Sequence, residues 1–374
     1  MTLARIAKLT SLIQKDVSYQ EVVKFLFHET PPFDSNFLQP ENIACIAEDI
    51  QSAAYKKQDR HTKLEFSVIV PVFNGVDRIK EVLISALTQN QDPDSFEIII
   101  VDDGSVKKSN LVVEKLIEDY PSHVVRYVYY QKNRGPAFAR NIGILLSRSD
   151  FICFTDDDCT IPSDWLSGFK KDFEANPEIA GTGGWYKPVK TPPTNAIDIF
   201  NRFIFWEPMP TMLTAVKTFY FFGNFSGNTA NICYKKSVLE EVGGFNHYFL
   251  FASAEDFELK IRIHKKNYSL LYNARLIDHR KRNLTTKDFI TLYLIRGWTH
   301  HFLYLIHKDF KVYNRTLITV LKQWSRSNGR LLRCRHLDVP PELNFSYWFF
   351  SLGILRYFCL WLGKYGFVIW DRAD

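Results

Sequence analysis

Between Leu64 and Asp158 the sequence alternates between short apolar runs and stretches whose apolar residues recur at helical spacing. The runs "FSVIVPVFN", "FEIIIVDDGS", "VVRYVYY" and "DFICFTDDD" are mostly apolar, as expected for strands buried on both faces. The stretches between them predict three helices, with core positions at Ile79, Val82, Leu83, Ala86 and Leu87, at Val112, Val113, Leu116 and Ile117, and at Phe138, Ile142, Leu145 and Leu146. This alternation predicts βαβ units, an α/β fold and a mainly parallel central sheet.

The length and composition fit a globular chain with one large domain and additions. Its 374 residues are 46% hydrophobic and 24% charged, with a net charge of +6. The six cysteines have no C-x-x-C spacing, so neither a zinc knuckle nor a redox dithiol is indicated. The start, "MTLARIAKLTSLIQKD", does not have the pattern of a signal peptide. We therefore expect a cytoplasmic protein.

Three divisions of the chain are predicted. Residues 1–60 form a helical N-terminal extension, 64–285 the α/β domain, and 286–374 a helical, aromatic-rich C-terminal region. Within the α/β domain, "IAGTGGWY", "NTANICYKK" and "YSLLYNARLIDH" indicate further strands, and residues 188–222 have no clear pattern.

The apolar stretch at 345–370 raises the question of a membrane. It is long enough to span a bilayer, but Arg356 and Lys364 lie on one helical face, which favours a helix in the interface with these cations toward headgroups. A helical hairpin packed on the protein is the third interpretation. Basic clusters at 280–282 and 326–335 suit an anionic membrane surface, a phosphate-bearing partner or plain solvent.

Acidic residues follow two of the predicted strands, where open parallel sheets bind their ligands. Asp102 and Asp103 end the second, and Asp156, Asp157 and Asp158 end the fourth. Adjacent carboxylates repel one another, and a shared divalent cation carrying a diphosphate would offset that repulsion. A solvated acidic turn is the alternative.

Other polar residues add candidates for ligand binding and catalysis. In "NRGPAFARNIG", Arg134 and Arg140 accompany a glycine turn into a helix N-terminus, a place that favours anions. In "AEDFELKIRIHKK", Glu255 and Asp256 begin a helix, where a carboxylate is either a general base or a helix cap. His279 ends a strand and is either a structural residue or a metal ligand.

Six segments together resemble the ordered motif set of the family 2 glycosyltransferases, which have a GT-A-type fold. They are "SVIVPVFNGVDRIKEVLISALTQ", "EIIIVDDGS", "NRGPAFARNIG", "DFICFTDDDC", "SGNTANICYKKSVLEEVGGF" and "AEDFELKIRI", over about residues 64 to 282. The resemblance implies a metal-dependent, inverting transfer of a sugar from a nucleotide-sugar, a UDP-sugar in particular. The implied acceptor is a glycan or a lipid-linked saccharide, as in polysaccharide biosynthesis.

The resemblance also implies roles for individual residues. Asp256 matches the general base, and Asp103 would accept a hydrogen bond from uracil. Asp156 and Asp158 match the D-x-D motif that binds the ribose and the Mn²⁺ or Mg²⁺, with His279 as a further metal ligand. The remaining substrate-binding candidates are Pro71, Phe73, Asn74, Arg134, Gly135, Arg140, Asp157, Gly184, Trp185 and Glu255.

Two other functions remain open from the sequence: a non-catalytic nucleotide-sugar-binding module and a sugar nucleotidyltransferase. The first predicts a missing base or a broken D-x-D motif, and the second a glycine-rich loop after the first strand; neither is present. A dehydrogenase is not indicated, because no G-x-G-x-x-G follows a strand. A nucleic-acid partner is not expected, because acidic strand ends repel phosphate in the absence of a metal ion. The partners expected are the donor, the acceptor and, if the C-terminal region is interfacial, the cytoplasmic face of a membrane.

Overall fold

The computed structural model describes residues 37–38, 51–54, 64–184, 186–188, 195, 197, 200, 216–218, 228–273, 277–279, 285–307, 352, 354–356, 358–360 and 362. Its strands and longer helices in chain order are β1 (Gln51–Ala54), β2 (Phe66–Val72), α1 (Ile79–Leu87), β3 (Phe96–Asp103), α2 (Asn110–Glu118), β4 (Val124–Tyr130), α3 (Pro136–Leu146), β5 (Phe151–Phe154), β6 (Cys159–Thr160), α4 (Trp165–Ala175), β7 (Gly181–Gly183), β8 (Tyr186–Pro188), β9 (Val216–Thr218), β10 (Ile232–Lys235), α5 (Lys236–Val242), α6 (Glu255–Lys265), β11 (Leu270–Tyr272), β12 (Ile277–His279) and α7 (Thr286–Ile306).

The central sheet has nine strands in the order β1-β4-β3-β2-β5-β10-β7-β11-β9. Strands β2, β3, β4 and β5 are mutually parallel. Strand β10 is antiparallel to both β5 and β7, so β7 runs in the same direction as β5, and β11 is parallel to β7. The predicted α/β fold with a mainly parallel sheet is therefore confirmed. A small second sheet, β6-β12-β8, begins just after the three acidic residues that follow β5.

The core follows the predicted periodicity closely. All five predicted core positions of α1 are buried, as are Val113, Leu116 and Ile117 of α2. At the end of α3 the prediction was wrong for Leu145, which is exposed. The helix stops one residue later, at Leu146, and Ile144 takes the buried position instead.

The predicted helical extension contains a strand. Residues 51–54 form β1, which pairs antiparallel with β4 from Gln51↔Tyr129 to Ala54↔Arg126. The helical prediction was wrong here because the unpaired edge of β4 offers a row of backbone hydrogen-bonding groups to any nearby extended segment. Apart from Phe37 and Leu38, the rest of 1–60 lies outside the described residues.

Arg356 in the C-terminal region contacts another helix. It is half-buried, and its guanidinium lies 5.2 Å from the ring centroid of the buried Tyr293 on α7. This contact favours the interpretation in which the segment packs on the protein, and the interfacial interpretation stays a prediction. Lys364, residues 280–282 and residues 326–335 lie outside the described residues.

Contacts divide the chain into two compact units. One comprises Asp34–Lys190 and Met209–Lys281, and the other includes Arg282–Asp374. The divisions predicted from the sequence, at 60 and at 285, stay predictions. In the part of the chain that the structure describes, no helix combines the length and apolarity needed to cross a bilayer.

Candidate functional site

The loop after β2 is the first wall of the site. Pro71 is half-buried in the strand, and Phe73 just beyond it is 42% exposed, which is unusual for a phenylalanine. Asn74 adopts φ +50, and its backbone N–H donates to Ser105 Oγ at 2.8 Å. Its side-chain oxygen accepts from the backbone N–H of Val106 at 3.1 Å. Asn74 therefore ties this loop to the one after β3 and leaves Phe73 presented to solvent.

The carboxylates at the end of β3 are bonded mainly to backbone. Asp102 accepts from the N–H of Ser105 at 2.9 Å and from the hydroxyl of Tyr127 at 2.5 Å. Asp103 accepts from the N–H groups of Arg134 at 2.6 Å and Gly135 at 2.8 Å. Both acids are buried.

Gly135 is needed where it lies. Its φ is +93, and a Cβ there would come within 2.6 Å of the carbonyl oxygen of Leu250. The turn into α3 thus packs directly against the segment that leads into α6. Arg134 places its guanidinium 5.5 Å from the ring centroid of Phe138 and remains half-buried.

Asp157, the middle acid of the triplet, faces Arg78 at the start of α1. The pair is bidentate, with Arg78 Nη2 2.6 Å from Oδ2 and Nε 3.4 Å from Oδ1. Burial raises the pKa of Asp157 to about 6, although Arg78 opposes the rise. A Cβ on Gly75 would lie 1.9 Å from Asp157 Oδ2, so glycine is required for this approach. Arg78 also donates to the carbonyl oxygens of Phe73 and Asn74, which connects the triplet to the first loop.

Asp156 and Glu255 share one guanidinium. Arg140, on α3, is only 2% exposed; its Nη2 lies 3.0 Å from Asp156 Oδ1 and its Nη1 2.9 Å from Glu255 Oε1. The Asp156 side chain remains 34% exposed. Burial raises the pKa of Glu255, against the effect of Arg140. Arg140 therefore connects the carboxyl end of β5 to the start of α6.

Asp256 is the second residue of α6. Its Oδ2 lies 3.6 Å from Lys260 Nζ one turn later, and its Oδ1 accepts from the N–H of Phe257 at 2.9 Å. The helix cap is Ala254, not Asp256, and Ala254 has φ +69. A left-handed conformation in a residue other than glycine costs about 1–3 kcal/mol and marks a position imposed by its surroundings.

The other predicted site residues are less fully described. Gly184 exchanges backbone hydrogen bonds with Asn231 and Asn228, beyond the end of β7. Trp185 lies outside the described residues. The backbone of His279 pairs with Cys159, so β12 runs beside the acidic triplet, but the His279 side chain is not described.

The donor set at the triplet suits a hard cation. Asp156 and Asp158 are half-buried and offer oxygen ligands at a strand end. No three His, Cys, Asp or Glu side chains of the described residues form a ready metal site. Mg²⁺ is commonly held by only one or two carboxylates together with waters and substrate phosphates, and these residues fit that arrangement.

Sequence reasoning missed two contributors. Arg78 lies at the start of a helix whose sequence is ordinary. The one signal for its role was its position soon after a strand end and a glycine. Tyr234, on β10, has a buried hydroxyl with no hydrogen-bond partner among the described residues. Burial raises the pKa of this hydroxyl, and the negative charge of Asp256 adds to the effect.

Part of the chain is similar to known glycosyltransferases. An uncharacterized glycosyltransferase of Haemophilus influenzae is 36% identical over 100 residues, which are 27% of this chain and 38% of that protein. A human dolichyl-phosphate beta-glucosyltransferase is 37% identical over 106 residues, or 27% of this chain and 32% of that protein. The matches thus span about a third of the length of each of these relatives.

A solved structure is similar in fold. The mannosyltransferase PcManGT from Pyrobaculum calidifontis, in complex with GDP-Man and Mn²⁺, has a TM-score of 0.53 at 15% identity and covers 99% of both chains. The family description "Glycosyl transferase family 2" matches residues 67–243. This match covers 177 of the 374 residues, a little under half of the chain.

Proposed function

We propose that this chain is an inverting glycosyltransferase that moves a sugar from a nucleotide-sugar, a UDP-sugar in particular, to a hydroxyl group of a glycan or lipid-linked saccharide. The observation that carries the proposal is the pair of ion pairs through the buried Arg140, which brings together Asp156 at a strand end and Glu255, next to Asp256. A donor and a catalytic base must lie close together for a single displacement.

The donor lies across the ends of β2, β3 and β5. Phe73 stacks on the nucleobase, which its exposure permits. Asp103 accepts from the base, and Pro71, Asn74, Arg134 and Gly135 line the nucleotide. The sugar extends toward Gly184 and Trp185. The resemblance supports this order of contacts, and the loop-to-loop bonds of Asn74 keep the first two walls together.

Asp256 acts as the general base. It accepts the proton of the acceptor hydroxyl while that oxygen forms a bond to the anomeric carbon, on the side opposite the nucleoside diphosphate. The bond between the anomeric carbon and the phosphate oxygen breaks, its electron pair leaves with the diphosphate, and the anomeric centre inverts. Lys260 Nζ lies 3.6 Å from Asp256 Oδ2 and forms an ion pair with it one turn along α6.

Asp156, Asp158 and His279 would hold Mn²⁺ or Mg²⁺, which supplies charge stabilisation for the leaving diphosphate. One oxygen of Asp156 already pairs with Arg140. We therefore assign Asp158 as the main ligand of the cation, and Asp156 as a ligand that also contacts the ribose. Asp157 keeps its ion pair with Arg78 and so holds the acidic triplet in position.

The test begins with a thermal-shift screen of nucleotide-sugars with and without Mn²⁺, followed by turnover assays on the hits. Asp256→Asn should lower turnover by roughly 10²–10⁴-fold, the usual contribution of a general base, with nucleotide binding nearly unchanged. Glu240→Gln, an exposed acid on α5, is the control and should behave as wild type. Normal turnover by Asp256→Asn would contradict the proposed base, and nucleotide-sugar binding without turnover would favour a non-catalytic module.

We further propose that the acceptor is held at a membrane, which the protein meets from the cytoplasmic side. Among the described residues after α7, Leu352, Cys359 and Leu360 are buried, whereas Ile354 and Phe358, four residues apart, are 48% and 51% exposed. The sequence predicts a membrane-facing stripe of Trp348, Phe349, Leu352, Leu355, Phe358, Leu362 and Tyr365. That prediction was wrong for Leu352, which is buried, and Trp348, Phe349 and Tyr365 lie outside the described residues.

Liposome flotation tests the membrane proposal. The full chain should float with anionic vesicles at low salt, and Ile354→Ser/Phe358→Ser should reduce flotation. Leu111→Ser, at an exposed apolar position on α2, is the matched control. A wild-type chain that does not float would remove the membrane and leave the transferase unaffected.

A further inference from the structure

Arg140 lies too deep to bind a ligand itself. The side chain is 2% exposed, and both of its terminal nitrogens are bonded to carboxylates, at 2.9 and 3.0 Å. Its remaining nitrogen, Nε, is also buried. A phosphate or sugar would have to displace one of the two carboxylates to reach this guanidinium.

The two carboxylates that Arg140 joins come from opposite sides of the proposed reaction. Asp156 follows β5 and faces the donor side with a third of its side chain exposed. Glu255 is the first residue of α6, is buried, and immediately precedes the proposed base, Asp256. The bridge therefore sets the distance between a donor-binding carboxylate and the helix that carries the base.

The start of α6 needs such a constraint. Ala254 adopts a left-handed conformation just before Glu255, which surrounding contacts must impose. The second oxygen of Glu255 is buried and has no hydrogen-bond partner among the described residues, so the bond to Arg140 is the one side-chain contact described for this carboxylate. A buried ion pair is weak evidence for stability, because its desolvation cost offsets much of the attraction, so a role in positioning accounts better for this cluster.

We propose that Arg140 and Glu255 are positioning residues that hold Asp256 in register with the donor bound at Asp156; this inference rests on the proposed function. The guanidinium suits this task because its planar fork reaches two carboxylates in fixed directions, whereas a lysine presents one compact charge. A reacting geometry requires placement within about 0.5 Å. Loosening the bridge should therefore slow turnover while the nucleotide stays bound.

The test separates turnover from binding in the full chain. Glu255→Met removes the acceptor oxygens at similar size, and Glu255→Gln keeps one oxygen for Arg140. We expect kcat to fall about 10- to 100-fold in Glu255→Met and by a smaller factor in Glu255→Gln. The KM of the donor, and the affinity for its nucleoside diphosphate with Mn²⁺, should stay within about threefold. The donor panel is UDP-glucose, UDP-N-acetylglucosamine and GDP-mannose.

Arg140→Lys and the double variant Arg140→Lys/Glu255→Met provide the second measurement. If both residues act through one bridge, the double variant should lose little more kcat than the worse single variant. Unchanged kcat in folded Glu255→Gln and Arg140→Lys would overturn the inference alone, as would losses that multiply. A wild-type chain that turns over no donor of the panel would overturn the proposed function and this inference with it.

Discussion

The two acidic strand ends use their carboxylates in different ways. At the end of β3, Asp102 and Asp103 are buried and accept mainly from backbone N–H groups of nearby turns. At the end of β5, Asp156 and Asp157 are bonded to the guanidinium groups of Arg140 and Arg78, which come from other helices. Asp156 and Asp158 also remain partly open to solvent.

The difference shows that clustered acids alone do not define a ligand site. Backbone N–H groups cannot move away without unfolding their turn, so the β3 carboxylates hold the loops that follow β3 and β4. Side-chain partners can reorient, so the β5 carboxylates could exchange contacts with the proposed cation and ribose. We therefore expect substitutions at β5 to change mainly ligand binding and substitution of Asp102 to change mainly stability.

Of the substitutions at the two strand ends, the one at Asp158 is expected to change ligand affinity most. Asp158→Ala should weaken binding of the nucleoside diphosphate in Mn²⁺ by about 2–4 kcal/mol, or roughly 30- to 700-fold, because a buried charge loses its partner. Calorimetry with and without EDTA measures this, and EDTA should weaken the wild type similarly. Affinity that neither treatment changes would remove the metal from the proposed site.

The matched substitution at β3 should act on folding. Asp102→Ala removes an acceptor of the Ser105 and Ser109 N–H groups and of the Tyr127 hydroxyl, although Tyr127 Oη still accepts from Ser109 N–H, at a cost of about 1–3 kcal/mol of unfolding free energy. Urea unfolding measures the loss, and Tyr127→Phe, which removes one of these bonds, should cost less. If Asp102→Ala instead abolishes Mn²⁺-dependent binding at unchanged stability, the contrast between the two ends is wrong.

Much of this architecture could be predicted because its signals are local. Four buried runs and three periodic stretches predicted β2 to β5 and α1 to α3, and parallel topology then placed the acidic ends at one edge. The partners of the acids could not be predicted, because Arg78 is 79 residues from Asp157 and Arg140 is 115 residues from Glu255. Nothing in the local sequence around β1 predicts that its segment pairs with β4, because that pairing depends on a distant strand edge.

His247 reports on the charge near the β3 end. Burial and the charge of Arg134, whose N–H is held by Asp103, lower the pKa of His247 to about 4. An unfolded histidine titrates near 6.5, so the unfolded state binds more protons between pH 6.5 and 4. This contribution to stability is full above pH 6.5 and is lost as the pH falls toward 4.

Replacing His247 should therefore flatten the pH dependence. His247→Phe keeps a ring near Phe37, Phe138 and Tyr248. When the pH falls from 7.5 to 5, the wild type should lose on the order of 1–2 kcal/mol more unfolding free energy than His247→Phe. Urea unfolding at the two pH values gives the difference, and equal pH dependence in both proteins would show that His247 is protonated in the folded state.

The smallest effect on ligand binding is expected at Phe73, in the loop after β2. Its exposed ring contributes little to the core, so Phe73→Ala should leave unfolding free energy nearly unchanged. Stacking on a base contributes about 1–3 kcal/mol, and a partly exposed ring belongs at the lower limit, near fivefold in nucleotide affinity. Phe73→Tyr, which keeps the aromatic face, is the control and should bind as wild type. Because stacking does not depend on the cation, the same factor should appear with and without Mn²⁺. A loss seen only with Mn²⁺ would instead mean that Phe73 acts through the triplet, by way of Arg78, whose guanidinium donates to both the Phe73 carbonyl and Asp157.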